Sequence, residues 1–446
     1  MHSRGWILAS FLLVACATVD PRPDFVRARE QIRATTGLEE VFDPEGPLLG
    51  ADEIEDVLAA GLGLDEALRL ALLNNRRLQA GFQRLGVARS ELVQAGLLRN
   101  PILSLAFFLP SGGGRTRLAA DLAARVSELW QLPARKEWAQ AGLEGELLAL
   151  SAQAAELVLE TRRAYCEAVA AGAGRTLAAE NAELTRQGEL AVEKRVERGV
   201  ATRAEEQLAR GQVLAAELAF LCSERAEAVA RRRLASALSL ASEFLAVELT
   251  DALPNPSAED PEREALVQRS RALRLDLRAS ASAVAAARAA LALADLGRFP
   301  SLDLGLAAER PEGGSSSSLL LGPAVAVELP LFDQNQAQRA RARFRLAELE
   351  LEHAALLAES AQDVRAASDQ ASVSARSARF IEQEVLPQAE AGLELARRAF
   401  ELGDTTVTIL LESQRALVAL RQAVLDARLE AALTRFELER RLGGPL

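Results

Sequence analysis

Few side chains in this 446-residue sequence could do chemistry, and their types and spacing rule most of it out. There are two histidines, His2 and His353, three cysteines, and one methionine, Met1. A histidine- or methionine-based metal site needs several such ligands brought together, and past the first residues only His353 is left. His353 falls in a charged, helix-patterned stretch with no nucleophile–base arrangement to join. No Gly-rich phosphate loop is present. The sequence therefore reads as a non-enzyme without a cofactor. A net charge of -11 and a pI near 5.1 also argue against a nucleic-acid partner, which calls for a clustered basic surface.

The cysteines are the remaining reactive groups. Cys16 closes the apolar run in "SFLLVACATVD", residues 10–20. That run is too short to span a bilayer and has the length of a signal-peptide core, so residues 1–15 read as a signal peptide. Leu13, Val14, Ala15 and Cys16 resemble a bacterial lipobox, which implies cleavage before Cys16 and acylation of its thiol with palmitate-type chains. Ala17 after the cysteine then implies sorting to the outer membrane. The alternative is an ordinary signal peptide cleaved nearby. Cys166 and Cys222 sit in helical stretches and are expected to be buried. If the chain turns near residue 199, they lie about 20 Å apart along a helical hairpin, too far for a disulfide.

These few groups must be positioned by helices. Aromatics make up 4% of the chain, and Ala, Leu, Glu and Arg dominate, as in long helices packed through small side chains. Residues 16–60, with four prolines, read as a loosely structured, lipidated lead. After it the chain repeats itself. "LDEALRLALLNN…LLRNP" from Leu64 and "EREALVQRS…GRFP" from Glu262 are both helix patterns that run into an X-Pro step, with Pro101 and Pro300 equivalent. The reading is a first repeat over 61–250, a linker over 251–261 and a second repeat over 262–446.

After each X-Pro step the periodicity changes to two. Leu103, Leu105 and Phe107 alternate with Ser104, Ala106 and Phe108. Leu118, Ala120, Leu122 and Ala124 alternate with Ala119, Asp121, Ala123 and Arg125. The second repeat does the same with Leu302, Leu304 and Leu306, then Leu321, Val325 and Val327. Two β-hairpins are expected, over 102–128 and 302–329, with strands about 9–11 residues long, one face apolar and one face small and charged. Charges confined to one face suit a wet lumen better than a solvated hairpin. Four strands cannot close a barrel, and an open edge in lipid costs several kcal/mol per unpaired backbone group. Copies of the chain must then share one barrel, and three copies give twelve strands.

Long helices follow each hairpin. From about Arg135 to Arg198 no proline intervenes, enough for a helix of about 95 Å. Leu143, Leu147, Leu150, Ala154, Leu157, Thr161, Ala164 and Ala168 form a heptad seam on it. Leu410, Leu417, Val424, Ala431 and Leu438 form another near the C-terminus. Gly199 in "VERGVATRAEE" and Gly403 in "FELGDTTVTILLES" each separate two helices, as left-handed C-caps, with the threonines after them available as N-caps.

Taken in order, the duplication, the "LLRNP" and "GRFP" strand entries, "VELPLFDQNQAQRARAR" and "ELGDTTVTILLESQRAL" resemble the TolC-like outer-membrane efflux proteins, and "SELWQLPARKEWAQA" resembles their heavy-metal branch. The resemblance implies a mainly α chain. Its duplicated helical hairpins build an α-barrel, and its four strands enter a shared, trimeric, 12-strand transmembrane β-barrel. It implies a passive duct in the bacterial outer membrane, lipid-anchored, with a large periplasmic extension. The partners implied are two further copies, a periplasmic adaptor (membrane fusion) protein, an inner-membrane transporter and outer-membrane lipid. It places acidic residues at the periplasmic mouth, and by position past Gly199 and Gly403 these are Glu205, Asp404 and Glu412. The pattern departs at Ile409, where the family often carries an acid, and at Ala134-Arg135-Lys136, in place of a common Gly-Lys pair. The competing reading is a lipid-anchored periplasmic coiled-coil scaffold without a pore. The alternating strands discriminate, because a scaffold has no use for a lipid-facing row.

Overall fold

The computed structural model describes residues 18–109, 111, 116–240, 247–256, 262–310 and 319–446. The described residues are mainly helical, with four strands among them. The first half runs α1 (Arg22–Thr36), α2 (Ala51–Ala59), α3 (Leu64–Asn74), α4 (Arg76–Ala95), β1 (Ile102–Phe108), β2 (Arg117–Arg125), α5 (Glu128–Glu197) and α6 (Arg203–Ala237). The second runs α7 (Arg263–Leu273), α8 (Leu275–Leu296), β3 (Leu302–Arg310), β4 (Leu320–Val327), α9 (Gln336–Phe380), a π-turn at Ile381–Val385, α10 (Leu386–Leu402) and α11 (Val407–Leu442). From α3 onward the element order repeats. Even the helix breaks correspond. Asn75 and Arg274 both leave the helical region, at ψ 115° and ψ 120°, and both are buried.

The two compact units of the chain do not follow the two repeats. One comprises residues 1–26, 83–149 and 276–356, and the other 27–82, 150–275 and 357–446, so each draws on both halves. The first contains the sheet, a continuous antiparallel β1-β2-β3-β4 meander. The described strands are 7–9 residues long, shorter than the alternation suggests. Parts of both hairpin tips lie outside the described residues. Within this unit Ser280 on α8 lies 2.5 Å, Oγ to Nδ1, from His353 on α9. The sequence offered no partner for His353, because spacing along the chain does not show which helices pack. Helix α8 is long and apolar enough to cross a membrane by length and composition alone, and it is the one such helix among the described residues. Much of that apolarity is alanine.

In the second unit the heptad seam on α5 is closed. Leu150, Ala154, Leu157, Thr161, Ala164 and Ala168 are all buried there, and Leu143 and Leu147 are buried in the first unit. Thr161 turns its hydroxyl back to Leu157 O at 2.8 Å, which satisfies it inside the seam. Leu417, Ala431 and Leu438 of the C-terminal seam are buried, and Leu410 and Val424 are half-buried. Helix α5 starts at Glu128, earlier than Arg135, with Pro133 in its second turn. Pro133 is the sixth residue, past the four N–H groups that lack intrahelical partners, so the helix forgoes one hydrogen bond there.

Two expectations are corrected. The lead over 16–60 is not loose throughout, since α1 and α2 form there. Phe25, Ala28 and Ile32 on α1 are buried at helical spacing, and Pro23 sits within the first turn, where its missing N–H is no loss. Of the two cysteines expected to be buried, only Cys166 is, and Cys222 is exposed on α6. Both are free thiols. Burial pushes the Cys166 thiol up to about 11.

A charge network ties α11 to its neighbours in the second unit. Glu437 accepts from Arg163 (2.8 Å), Arg440 (2.6 Å) and Arg441 (2.8 Å). Arg441 also reaches Asp363 (2.6 Å), which lies 3.7 Å from the buried Arg274. Partial burial works to raise the Glu437 carboxyl, but the hydrogen bonds and charges of Arg440 and Arg441 outweigh it and hold it at about 2, below its ordinary 4.5. A carboxyl depressed by folding stabilises above its unfolded value, and that contribution disappears as pH falls toward the folded one. Stability against urea should therefore drop between about pH 4.5 and about pH 2, and Glu437→Gln should flatten that slope while lowering stability at neutral pH.

Candidate functional site: the sheet faces and the two helical turns

The sheet sorts its residues by register. In the β1–β2 ladder Leu103 faces Leu122, Leu105 faces Ala120 and Phe107 faces Leu118. The same row continues through Leu122↔Leu306, Ala124↔Leu304, Leu302↔Val327 and Leu304↔Val325. One face is thus an apolar row, interrupted among the paired residues only by Arg310, the partner of Leu118 at the end of β3. Leu103, Leu105, Phe107, Leu321 and Val325 on it are each more than half exposed. Such a patch on a water-soluble surface marks an interface or a membrane contact.

The opposite face carries Ser104, Ala106, Asp121, Ala123, Arg125, Asp303, Gly305, Ala307 and Glu309, with Ile102, Phe108 and Leu320 at strand ends. Its charges pair across strands, with Arg125 to Asp303 at 3.1 Å and Arg117 to Glu309 at 2.8 Å. Gly305 is there for close approach, since a Cβ at this position would lie 2.5 Å from Leu122 O and 3.1 Å from Ala123 Cα. The meander leaves β1 and β4 as edges, each paired on one side only.

The two glycine turns lie in the second unit. Gly199 has φ +74° and Gly403 φ +84°, a conformation that L side chains rarely adopt. Each is followed by a residue whose N–H reaches back five positions, Val200 to Arg195 O and Asp404 to Ala399 O, both 2.9 Å. This closes the helix end and satisfies its last carbonyls. Val192, Ala209, Val407 and Leu411 form one buried cluster with Val196 and Phe400 packed against it, so the two turns are neighbours.

The acids differ in their surroundings. Glu205 is half-buried and belongs to a capping box. Its carboxylate accepts from Thr202 N (2.7 Å) and Thr202 Oγ1 (3.0 Å), while Glu205 N donates to Thr202 Oγ1 (3.3 Å). The bond from the Thr202 backbone, then that from its hydroxyl, holds the Glu205 carboxyl below its ordinary value. Asp404 and Glu412 are exposed, as is Ile409. Thr406 sits at the start of α11 but makes no side-chain cap. Cys16 lies outside the described residues. Among the described residues no group of three His, Cys, Asp or Glu could hold a metal ion.

Sequence reasoning missed Arg195. Its guanidinium lies 4.3 Å from the centre of the Phe400 ring, linking the helix before one turn to the helix before the other. Its charge also acts on Glu205. The available signal was position, since each residue stands three or four places before its turn glycine.

Comparison with known proteins agrees with this geometry. Residues 266–444 match the outer membrane efflux protein family. The cobalt-zinc-cadmium resistance protein CzcC of Cupriavidus metallidurans is 29% identical over 393 residues, covering 84% of this chain and 90% of that protein. A crystal structure of CusC superposes with a TM-score of 0.72 at 21% identity, covering 85% of this chain and 92% of that one. The open state of the Neisseria gonorrhoeae MtrE outer membrane channel gives 0.71 at 19% identity, covering 85% and 89%. At these identities the two structures speak for the fold.

Two outcomes follow from the local geometry. Thr202→Ala should speed hydrogen exchange of the amides just past the first turn about fivefold, equivalent to about 1 kcal/mol of lost capping, whereas Thr406→Ala should leave the second turn's exchange unchanged. Gly305→Val should separate β2 from β3 at a cost of roughly 1–3 kcal/mol, read as earlier thermal loss of the strand signal in the infrared.

Proposed function

The chain belongs to the outer-membrane efflux protein family, and from that premise we propose that three copies build one outer-membrane efflux duct. Their four-stranded sheets close a twelve-stranded barrel, and their helices form the periplasmic part. One observation carries this reading. Away from the strand ends, the ladder register gathers the large apolar side chains on one face and the charged ones on the other, while both sheet edges are unpaired. In lipid, unpaired edges require strands from further copies, because hydrocarbon offers no water to satisfy them. A pore-free scaffold explains neither the apolar row nor the edges.

In this reading the chain is a passive conduit. It receives cargo from an inner-membrane transporter through a periplasmic adaptor and does no chemistry itself. Acylated Cys16 anchors each copy to the outer membrane. The similarity to a cobalt-zinc-cadmium resistance protein supports divalent metal cations as the cargo class. Glu205, Asp404 and Glu412 ring the periplasmic mouth in three copies and favour cations there. Glu205 is committed to its helix cap, so the exposed Glu412 and Asp404 carry most of the selectivity. Arg195 on the Phe400 ring braces one turn against the other and holds the mouth narrow.

The native mass of the protein extracted from outer membranes in mild detergent tests the assembly. A trimer with acyl mass on Cys16 is expected, and a monomer or soluble dimer would sink the duct. In planar bilayers Glu412→Gln should reduce cation selectivity, and Arg195→Gln should raise the resting conductance. Unchanged currents in both would remove these residues from the mouth.

A further inference from the structure

Where the strands pass into the helices of the first unit, a cavity of about 790 Å³ lies between α5, α8 and α9. Five arginines line it, Arg99, Arg125, Arg135, Arg341 and Arg345, against one carboxylate, Glu128. That balance is unusual in a chain with net charge -11. Glu128 is buried and engaged by Arg99 at 2.9 Å and Arg135 at 3.7 Å. The carboxylates around the lining are engaged too. Asp303 is held by Arg125 (3.1 Å), Glu348 by Arg345 (2.7 Å) and Glu328 by the Ser301 hydroxyl (2.9 Å). Two donors are left over. Arg341 has no ion-pair partner among the described residues, and the buried Nε of Arg135 has no hydrogen-bond acceptor.

We propose that this cavity binds a water-borne oxyanion of the phosphate class. A guanidinium presents its N–H groups as a planar fork that matches a tetrahedral oxyanion two bonds at a time, which a compact halide cannot exploit. The start of α5 at Glu128 adds the positive end of a long helix to the same wall. Arg341 and Arg345 are one helical turn apart on α9 and can share one ligand. The side from which the ligand comes is also given. Arg125 and Asp303 belong to the small and charged sheet face, opposite the apolar row. A dissolved anion reaches that face, and a lipid headgroup belongs with the other. Only the identity of the wet side with the duct lumen rests on the proposed function, and binding itself does not require a duct.

The test is calorimetric titration of inorganic phosphate into the full-length protein in detergent at low salt. Saturable binding of one phosphate per chain is expected, displaced by sulfate far better than by chloride. Arg341→Gln should weaken it about tenfold or more, the range for a lost bond to a charged group, without changing the assembled mass. Arg341 holds no ion pair, so its replacement breaks no structural contact of that kind, and Arg345→Gln provides a second variant. Absence of saturable binding in the wild type, chloride competing as well as sulfate, or wild-type affinity in both variants would overturn the proposal. A parallel arm titrates vesicles containing phosphatidylglycerol. A response to these alone, with none to free phosphate, would overturn the water-borne assignment in favour of a lipid phosphate.

Discussion

A β-sheet must satisfy the backbone groups along its edges, and most of this molecule can be understood from that requirement. The meander β1-β2-β3-β4 satisfies its interior ladders and leaves two edges open. In water, hydration would tolerate such edges, but a contiguous row of exposed Leu, Phe and Val side chains lies on the same sheet. In lipid the row is at home and the edges are not. Only closure with other strands resolves both demands. The register therefore matters as much as composition, since a slip by one residue would turn the Arg125–Asp303 pair toward the apolar side. Gly305 protects that register by letting β2 and β3 approach closely.

The helices solve a different problem. Their seams use alanine, serine and threonine among leucines, so long rods pack closely, with few aromatic side chains such as Tyr165 and Phe436 buried between them. Polar groups inside these seams are satisfied locally, as Thr161 is by Leu157 O. Charges near the helix ends are cross-linked instead. Arg274, 5% exposed, is acceptable because Asp363 and Ser360 O lie against it. At the equivalent break in the first half, Asn75 serves, caps α4 through Leu78 N and Arg77 N, and needs no counter-ion. The two halves share a break in the backbone and differ in how it is satisfied.

Much of this was legible in the sequence. Period-two alternation gave both hairpins and sorted their faces, because each side chain on a pleated strand points opposite to the last. The heptad positions on α5 are buried residue for residue. The Gly199 and Gly403 turns were visible because few other residues accept positive φ. What escaped depended on contacts between distant segments. Helix α1 hid behind its prolines, since a proline at a helix start looks like one in a loop. Cys222 lies on a helix whose exposed face the sequence pattern did not reveal. The brace of Arg195 on Phe400 joins residues two hundred positions apart, and no local rule pairs them. The commitment of Glu205 to its cap could have been read from Thr202 and the spacing of three, the pattern of a capping box.

The unequal closure of the two units bears on biogenesis. The α5 seam of the second unit is buried within a single chain, so much of that part can form in water before assembly, although Leu214, Leu218 and Leu221 on α6 stay exposed. The sheet cannot, because a lone copy exposes both its apolar row and its open edges, the combination most prone to non-specific association. For the proposed shared barrel, folding would then be ordered, with helices first and strands last, and its final step bimolecular or higher. A newly exported copy needs either an escort that masks the sheet or a high local concentration of sister chains at the membrane. Its half-life against proteolysis depends on how soon it meets them.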